Sequence, residues 1–400
     1  MRVYKKANVY DAALERIRYL FNEFDNIIVG YSGGKDSTIC LELSLIVAKE
    51  LNRLPLKVMF LDQESEWQGT IDIVEEVMTR EDVEPMWFQI PIKMSNNASS
   101  YERFAQCWNP ETPDKWVHPK HPLSIKENTY GDDTRFHDMF AAILKKDYAD
   151  TRTCYIAGVR TDESPKRFVA LTYHPTYKWI TWAKKLNRGQ EHYTFYPIYD
   201  WNTQDVWKAI HDNNWLYNKR YDDFYQKGMN VREMRISNLH HETALQSLLR
   251  VQEIEPETWL RLQAHIEGAN SLKHLQFNAF TCPKELPYMF ESWEEYAYHL
   301  ADNIIQDQEN KDKFYHKVGL ELKIYEQQPI RNEFFRTMIT TILSSDWDFT
   351  KFVNWQVRPD VYGYRTFMAG KRDKSMMLDT RWFSLEQLQE LFTSLGIKHE

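Results

Sequence analysis

The sequence predicts an α/β protein: a doubly wound, mostly parallel sheet followed by a mainly α-helical C-terminal region. Three observations carry this. Short apolar runs alternate with amphipathic segments of helical period as far as about residue 215. One of those runs breaks into a glycine-rich turn that holds a lysine and opens a helix. Beyond about residue 240 the strand-like runs stop, and a helical pattern rich in Glu, Gln and aromatic residues takes over. A chain of 400 residues exceeds the size at which one core usually stops growing. The change of pattern therefore sets the expected division at 1–240, an α/β part, and 241–400, a helical accessory part.

Each element has its own signal. Ala13, Ile17, Leu20, Phe21 and Phe24 have helical spacing and predict a helix over 10–24. Ile27, Ile28 and Val29 form a strand that ends in the glycine turn. Asp36 is placed to cap the next helix, whose apolar face is Ile39, Cys40, Leu43, Ile46 and Val47. A buried strand over 56–61 runs into Asp62-Gln63-Glu64, then a helix over 66–80 and a strand over 86–90. Residues 91–135 lose periodicity and are rich in Pro and Trp, as in a substrate-binding insertion or lid. Regular structure resumes with a helix over 134–149, a strand over 153–157, a helix from about 162 and a strand over 194–199. A helix over 203–212 follows, with Thr203 as its expected cap and Asp205 complementing the helix dipole. In such sheets ligands gather at the carboxyl ends of the strands. The turn after Tyr31 and the acids after Leu61 should thus face one crevice.

Composition narrows the class. Apolar residues make up 42% and charged residues 27%, no apolar stretch approaches the length of a membrane span, and the amino terminus has no signal-peptide core. A cytoplasmic protein with no membrane partner is expected. Cys40, Cys107, Cys154 and Cys282 are scattered without a Cys-x-x-Cys, which argues against a disulfide framework, a zinc ribbon or an iron–sulfur cluster and for buried thiols. Cys107, His118 and His121 match no metal-ligand spacing, and His240-His241 reads as filler. Net charge is −8, from 58 acidic against 50 basic residues, so the whole chain carries no nucleic-acid footprint. The window 145–190 differs: 10 Lys and Arg against 4 Asp and Glu give +6 there and leave −14 elsewhere. It reads either as a solvated face or as a site for anions, nucleic acid included.

The glycine turn carries the chemistry. Gly33 and Gly34 allow positive φ and close approach of backbone to an anion, and the first amides of the helix point partial positive charge at it. Lys35 adds a full charge, and Ser32 and Ser37 add hydroxyl donors. A Walker loop would need glycine at Val29 and Ser or Thr at Asp36, so this is a different phosphate cradle. A second strand delivers charge in the same way: Cys154-Tyr155-Ile156-Ala157-Gly158-Val159-Arg160 ends in a planar guanidinium fork suited to phosphate or sulfate. Arg167, seven residues on, would lie about two helical turns along the same face. A third segment, Tyr196-Pro197-Ile198-Tyr199-Asp200-Trp201, leads into Thr203-Gln204-Asp205-Val206-Trp207, whose Trp201, Val206 and Trp207 read first as helix-to-sheet packing.

Taken together, Ser32-Gly33-Gly34-Lys35-Asp36-Ser37, Gly158-x-Arg160-x-Asp162-Glu163-Ser164-x-x-Arg167 and Pro197-Ile198-x-x-Trp201-x-x-x-Asp205-Val206-Trp207 resemble the motifs of the phosphoadenosine phosphosulfate reductase superfamily, whose loop is that of the N-type ATP pyrophosphatases. The resemblance covers roughly residues 25–215 and implies an adenine nucleotide alpha-hydrolase-like fold. Leu61-Asp62-Gln63-Glu64, Glu127-Asn128-Thr129-Tyr130-Gly131, Met234-Arg235-Ile236-Ser237 and the segment from Leu248 to Trp259 are similar to a branch carried by prophages and other mobile elements. Members of that branch are named as reductase relatives or transcriptional co-activators, are often encoded beside a ParB-like protein, and carry an uncharacterised helical domain like that of about 240–345.

The resemblance implies binding of ATP or a related adenosine nucleotide with Mg²⁺. Tyr31, Ser32, Gly33, Gly34, Lys35, Ser37, Asp62, Gly158, Arg160 and Arg167 would hold the nucleotide, and Asp36 or Asp62 would lie nearest the metal. Lys35, Asp36, Arg160 and Glu163 would serve attack at the α-phosphorus, with Glu163 orienting Arg160. The chain departs from the reductases in one respect. They attack sulfur with a thiolate on a C-terminal Glu-Cys-Gly-[Ile/Leu]-His segment, whereas this chain ends Ser394-Leu395-Gly396-Ile397-Lys398-His399-Glu400. Adenylation with pyrophosphate release is therefore the expected chemistry. The alternatives are sulfonucleotide reduction by an external thiol or Cys282, and a non-catalytic nucleotide sensor acting through a ParB-like partner.

Overall fold

The computed structural model describes residues 7–95, 104–131, 135–231, 234, 236, 239, 245–266, 281–325 and 330–368. Arg235, Ser237, His240, His241 and the tail 369–400 lie outside them. The described residues form two compact units, one up to residue 266 and one from residue 281.

In the first unit the chain runs α1 (Val9–Glu23), β1 (Asn26–Gly30), α2 (Lys35–Glu50), β2 (Leu56–Leu61), α3 (Gln68–Met78) and β3 (Val83–Phe88). A hairpin of β4 (Ile92–Ser95) and β5 (Phe104–Cys107) follows, then α4 (Phe136–Asp147), β6 (Thr153–Ile156), α5 (Pro165–Thr172), β7 (Ala183–Lys185) and β8 (His192–Phe195). The unit closes with α6 (Thr203–Asp212), α7 (Arg220–Gln226), α8 (Leu245–Ile254) and α9 (Pro256–His265). The sheet order is β3-β2-β1-β6-β8-β7. All neighbours are parallel except β7, which runs antiparallel on β8. The expected α/β class holds, with one antiparallel edge.

Both faces of the sheet are covered, which is why its strands read as continuous apolar runs. Side chains alternate along β1. Ile27 and Val29 pack with α1, α2, α3 and α6 on one face, and Ile28 packs with Met139, Ile143 and Leu144 of α4 on the other. The segment 91–135 holds more structure than its composition predicts: the β4–β5 hairpin and buried Cys107 and Trp108, which join that second face.

The ends of α2, α6 and α5 are built differently from the sequence reading. Gly34, not Asp36, is the N-cap of α2. A cap must precede the helix with extended backbone, whereas Asp36 is already inside it. Asn202, not Thr203, caps α6, in a capping box closed by Asp205. After Arg160 the chain makes a short 3-10 turn, Thr161–Glu163, and α5 starts afresh with Ser164 as its cap. Arg160 and Arg167 therefore do not share one continuous helix face.

The second unit is helical among the described residues: α10 (Trp293–Ile304), α11 (Gln308–Glu321), α12 (Ile330–Leu343), α13 (Thr350–Gln356) and α14 (Pro359–Met368). It has its own core, in which Phe314, Tyr325, Phe334, Phe335, Phe352 and Trp355 are buried. Among the described residues no helix is long and apolar enough to cross a membrane.

Candidate functional site

From β1 the chain moves to β2 and β3 on one side and later to β6 and β8 on the other. The carboxyl ends of β1 and β6 thus flank the point where strand order reverses, the place where such sheets bind ligands. The loop after β1 and the loop after β6 meet there.

Gly33 has φ +68°, the left-handed conformation that favours glycine. The loop is braced from within. Ser32 N–H donates to Ser37 Oγ at 3.2 Å, Ser37 Oγ donates to the Gly34 carbonyl at 2.8 Å, and Thr38 Oγ1 donates to the same carbonyl at 3.1 Å. From β6, Gly158 lies against the first turn of α2. A Cβ there would stand 2.7 Å from the Asp36 carbonyl carbon and oxygen and 2.9 Å from Ser37 N. Only glycine lets the two loops come this close.

Lys35 and Arg160 converge on Asp36. Lys35 Nζ is 3.3 Å from Asp36 Oδ2, and Arg160 Nε donates to Asp36 Oδ1 at 2.5 Å. Both cationic residues are buried, at 5% and 3% exposure. Arg160 Nη1 is buried and makes no hydrogen bond among the described residues; Asp162 Oδ2 lies 3.8 Å from it. Glu163 Oε1 accepts the backbone N–H of Arg160 at 2.9 Å, and Glu163 Oε2 pairs with Arg167. Arg167 is thus held by Glu163, an i,i+4 pair across the break between the 3-10 turn and α5.

Tyr31 is placed differently from the sequence expectation. Alternation along the strand turns it to the same face as Ile27 and Val29, and its ring lies in the core at 3% exposure, where burial raises its hydroxyl pKa. Asp62 is fully buried. Its carboxylate accepts Glu64 N–H at 2.8 Å, Trp87 Nε1–H at 3.1 Å and Gln89 Nε2–H at 2.8 Å, and faces His118 Nε2 at 3.4 Å. Burial opposes a charged His118, but Asp62 outweighs it and raises the imidazole pKa. Asp62 thereby organises the loop after β2.

One residue that sequence reading did not single out borders the site. Tyr221 of α7 accepts Lys35 N–H at 3.2 Å through its hydroxyl, and its ring lies 5.2 Å from Lys35 Nζ. It is one wall of a cavity of about 530 Å³ that Trp207, Trp215, Tyr217, Tyr225 and Met234 also line. Trp201 and Val206 pack in the core as expected, and Trp207, partly buried, packs against it while meeting Tyr217 and Tyr221 in edge contacts. No local pattern marks Tyr221, because its role rests on a contact with a residue 186 positions away.

Residues 26–228 match the phosphoadenosine phosphosulfate reductase domain, and the chain belongs to that family. Uncharacterized protein YbdN of Escherichia coli (strain K12) is 28% identical over 350 residues, 82% of this chain and 84% of that protein. Among solved structures, Candida glabrata FMN adenylyltransferase in complex with FMN and an ATP analogue aligns with a TM-score of 0.34 at 14% identity, over 55% of this chain and 64% of that one. Candida auris phosphoadenylyl-sulfate reductase aligns with a TM-score of 0.31 at 12% identity, over 60% of this chain and 98% of that one.

Proposed function

We propose that the crevice at the ends of β1 and β6 binds an adenine nucleotide, ATP with Mg²⁺, and acts at its α-phosphorus. A nucleophile on an acceptor bonds to that phosphorus, the bond from it to the bridging oxygen breaks, and pyrophosphate departs. The observation that carries this reading is the pair of buried cations on one carboxylate. Burying a guanidinium with an unbonded N–H is costly unless an anion completes it, and Arg160 Nη1 is in that position at a helix N-terminus that already attracts anions. Without nucleotide, Asp36 neutralises part of the charge; with it, Lys35 and Arg160 turn to phosphate oxygens and bear the charge that develops there. The family takes its name from an adenosine phosphosulfate, so an adenosine nucleotide suits it.

Asp36, at 18% side-chain exposure, suits an oxygen-seeking ion better than the enclosed Asp62. We assign the Mg²⁺-facing position to it and leave Asp62 to the loop after β2. Mg²⁺ would supply polarisation of the phosphate oxygens. The acceptor belongs to a partner, ParB-like by the resemblance, or to nucleic acid, in a cytoplasmic and prophage or defence setting. In support, α5 beside Arg160 leaves Lys166, Phe168, Val169 and Tyr173 exposed within the basic window.

Thiol chemistry is the weaker reading, because burial raises the pKa of Cys40, Cys107, Cys154 and Cys282 alike, and the thiolate is the nucleophile. The deciding experiment compares pyrophosphate release from ATP with sulfite release from phosphoadenosine phosphosulfate, each with candidate partners and nucleic acid present. Pyrophosphate release that Arg160→Ala abolishes supports adenylation. Sulfite release alone would replace it with reduction, and nucleotide binding with neither product would favour a sensor.

A further inference from the structure

Outside the phosphate crevice, three potential metal ligands from distant parts of the chain come together. Glu64 lies in the loop after β2, Cys107 ends β5 and His265 ends α9. One ligand atom from each, a carboxylate oxygen, the thiol sulfur and an imidazole nitrogen, lies within 4.8 Å of the other two. Glu64 and Cys107 are fully buried, and His265 is 7% exposed at its side chain.

The carboxylate is held with care. Trp108 N–H donates to Glu64 Oε2 at 2.5 Å, Val117 N–H donates to Oε1 at 3.0 Å, and His265 Nδ1 stands 3.2 Å from Oε1. Glu64 itself adopts φ +65°, a backbone conformation that costs a glutamate energy and that persists only where the surroundings enforce it. Asp62 enforces it by accepting Glu64 N–H. The loop thus turns an acid into the interior, beside a thiol and an imidazole, where an acid ordinarily avoids burial.

We infer that Glu64, Cys107 and His265 hold a divalent transition-metal ion, zinc by their chemistry. One sulfur, one nitrogen and one oxygen donor form a borderline-soft set that suits zinc rather than magnesium or calcium. Ligand bonds of about 2.0–2.3 Å place tetrahedral donors about 3.3–3.6 Å apart. The His265–Glu64 separation, 3.2 Å, is just under that distance, and the whole cluster, within 4.8 Å, is close enough for side-chain adjustment to finish the site. Binding expels the thiol proton to solvent, leaves the sulfur anionic on the metal and gives the buried carboxylate a cation. Three protein ligands leave the fourth tetrahedral position to water. The ion would pin α9 to the β4–β5 hairpin and to the loop after β2, independently of what the phosphate crevice binds.

The test is cobalt substitution of the full chain, followed by zinc competition. A thiolate-to-cobalt charge-transfer band is expected at one ion per chain, displaced by zinc. Cys107→Ser should abolish the band, Cys282→Ser should retain it, and His265→Gln should weaken metal affinity by more than about a hundredfold. A wild-type protein without the band, or a band that survives Cys107→Ser, overturns the assignment. Should Cys107→Ser fail to fold, His265→Gln decides, and unchanged metal affinity there overturns it equally.

Discussion

Asp36 stands between two buried cations, and its neighbours respond differently to truncation. Lys35→Ala removes a charge aimed at phosphate, and a hydrogen bond to a charged group contributes about 1.5–3 kcal/mol. Affinity for ATP with Mg²⁺ should fall by about one to two powers of ten in calorimetry, with the protein still folded by circular dichroism; unchanged affinity would remove the phosphate-cradle assignment. Arg160→Ala should instead lose more in turnover than in affinity, by about two to three powers of ten, if it supplies about 3–4 kcal/mol to developing charge. Equal losses in pyrophosphate release and in binding would make Arg160 a ground-state ligand only. Away from the site, Lys178, Tyr177 and Arg152 all donate to Glu23 and hold its carboxyl at about 2, below the ordinary 4.5. A depressed folded pKa gives stability that is complete above the unfolded value and is lost as pH falls through the folded one. The melting-temperature deficit of Glu23→Gln should therefore be full above pH 4.5 and vanish towards pH 2. A deficit constant across that window would show that the three donors do not favour the ionised form.

Elements are brought together at this site by what they lack as much as by what they carry. Gly158 has no side chain where one would meet the Asp36 backbone at 2.7 Å. The obstruction is the first turn of a helix, which cannot step aside as a flexible side chain could. Gly158→Ala should cost about 1–3 kcal/mol of stability, as overpacking does, and should weaken nucleotide binding by separating Arg160 from Lys35. Denaturant unfolding and calorimetry read the two effects, and a variant neutral in both would mean that the loop after β6 can shift freely. A cap is a smaller device, and Asn202 belongs to α6 alone. Asn202→Ala should cost about 1 kcal/mol with nucleotide affinity unchanged, which distinguishes loss of a helix end from loss of the site.

At the scale of the whole molecule, the described residues build one core region on the two faces of the sheet and a separate core among α10 to α14. We propose that the chain correspondingly works as a nucleotide-binding part and a helical accessory part. Cores of this kind unfold as their own cooperative units, so differential scanning calorimetry should show two transitions, the first-unit transition alone rising with bound nucleotide. One transition that shifts as a whole would show the two cores to be energetically coupled.

Much of the α/β unit was legible because its signals are local. An apolar run, a glycine turn and a 3.6-residue period depend on neighbours in sequence, so the five parallel strands, the helices between them and the motif Ser32–Ser37 could be read from the chain alone, whereas the short strands β4, β5 and β7 could not. The same locality explains the errors. Which of two adjacent polar residues caps a helix depends on backbone angles one residue apart, and the face taken by Tyr31 depends on strand register. Tertiary structure decided what distance along the chain concealed: that β1 and β6 are neighbours, that Gly158 presses on α2, and that Tyr221 closes over Lys35. It also gathered Glu64, Cys107 and His265, whose spacing matches no ligand motif. Composition and period determine which segments can be buried, but a site made by long-range contact exists only once the sheet order has brought its parts together.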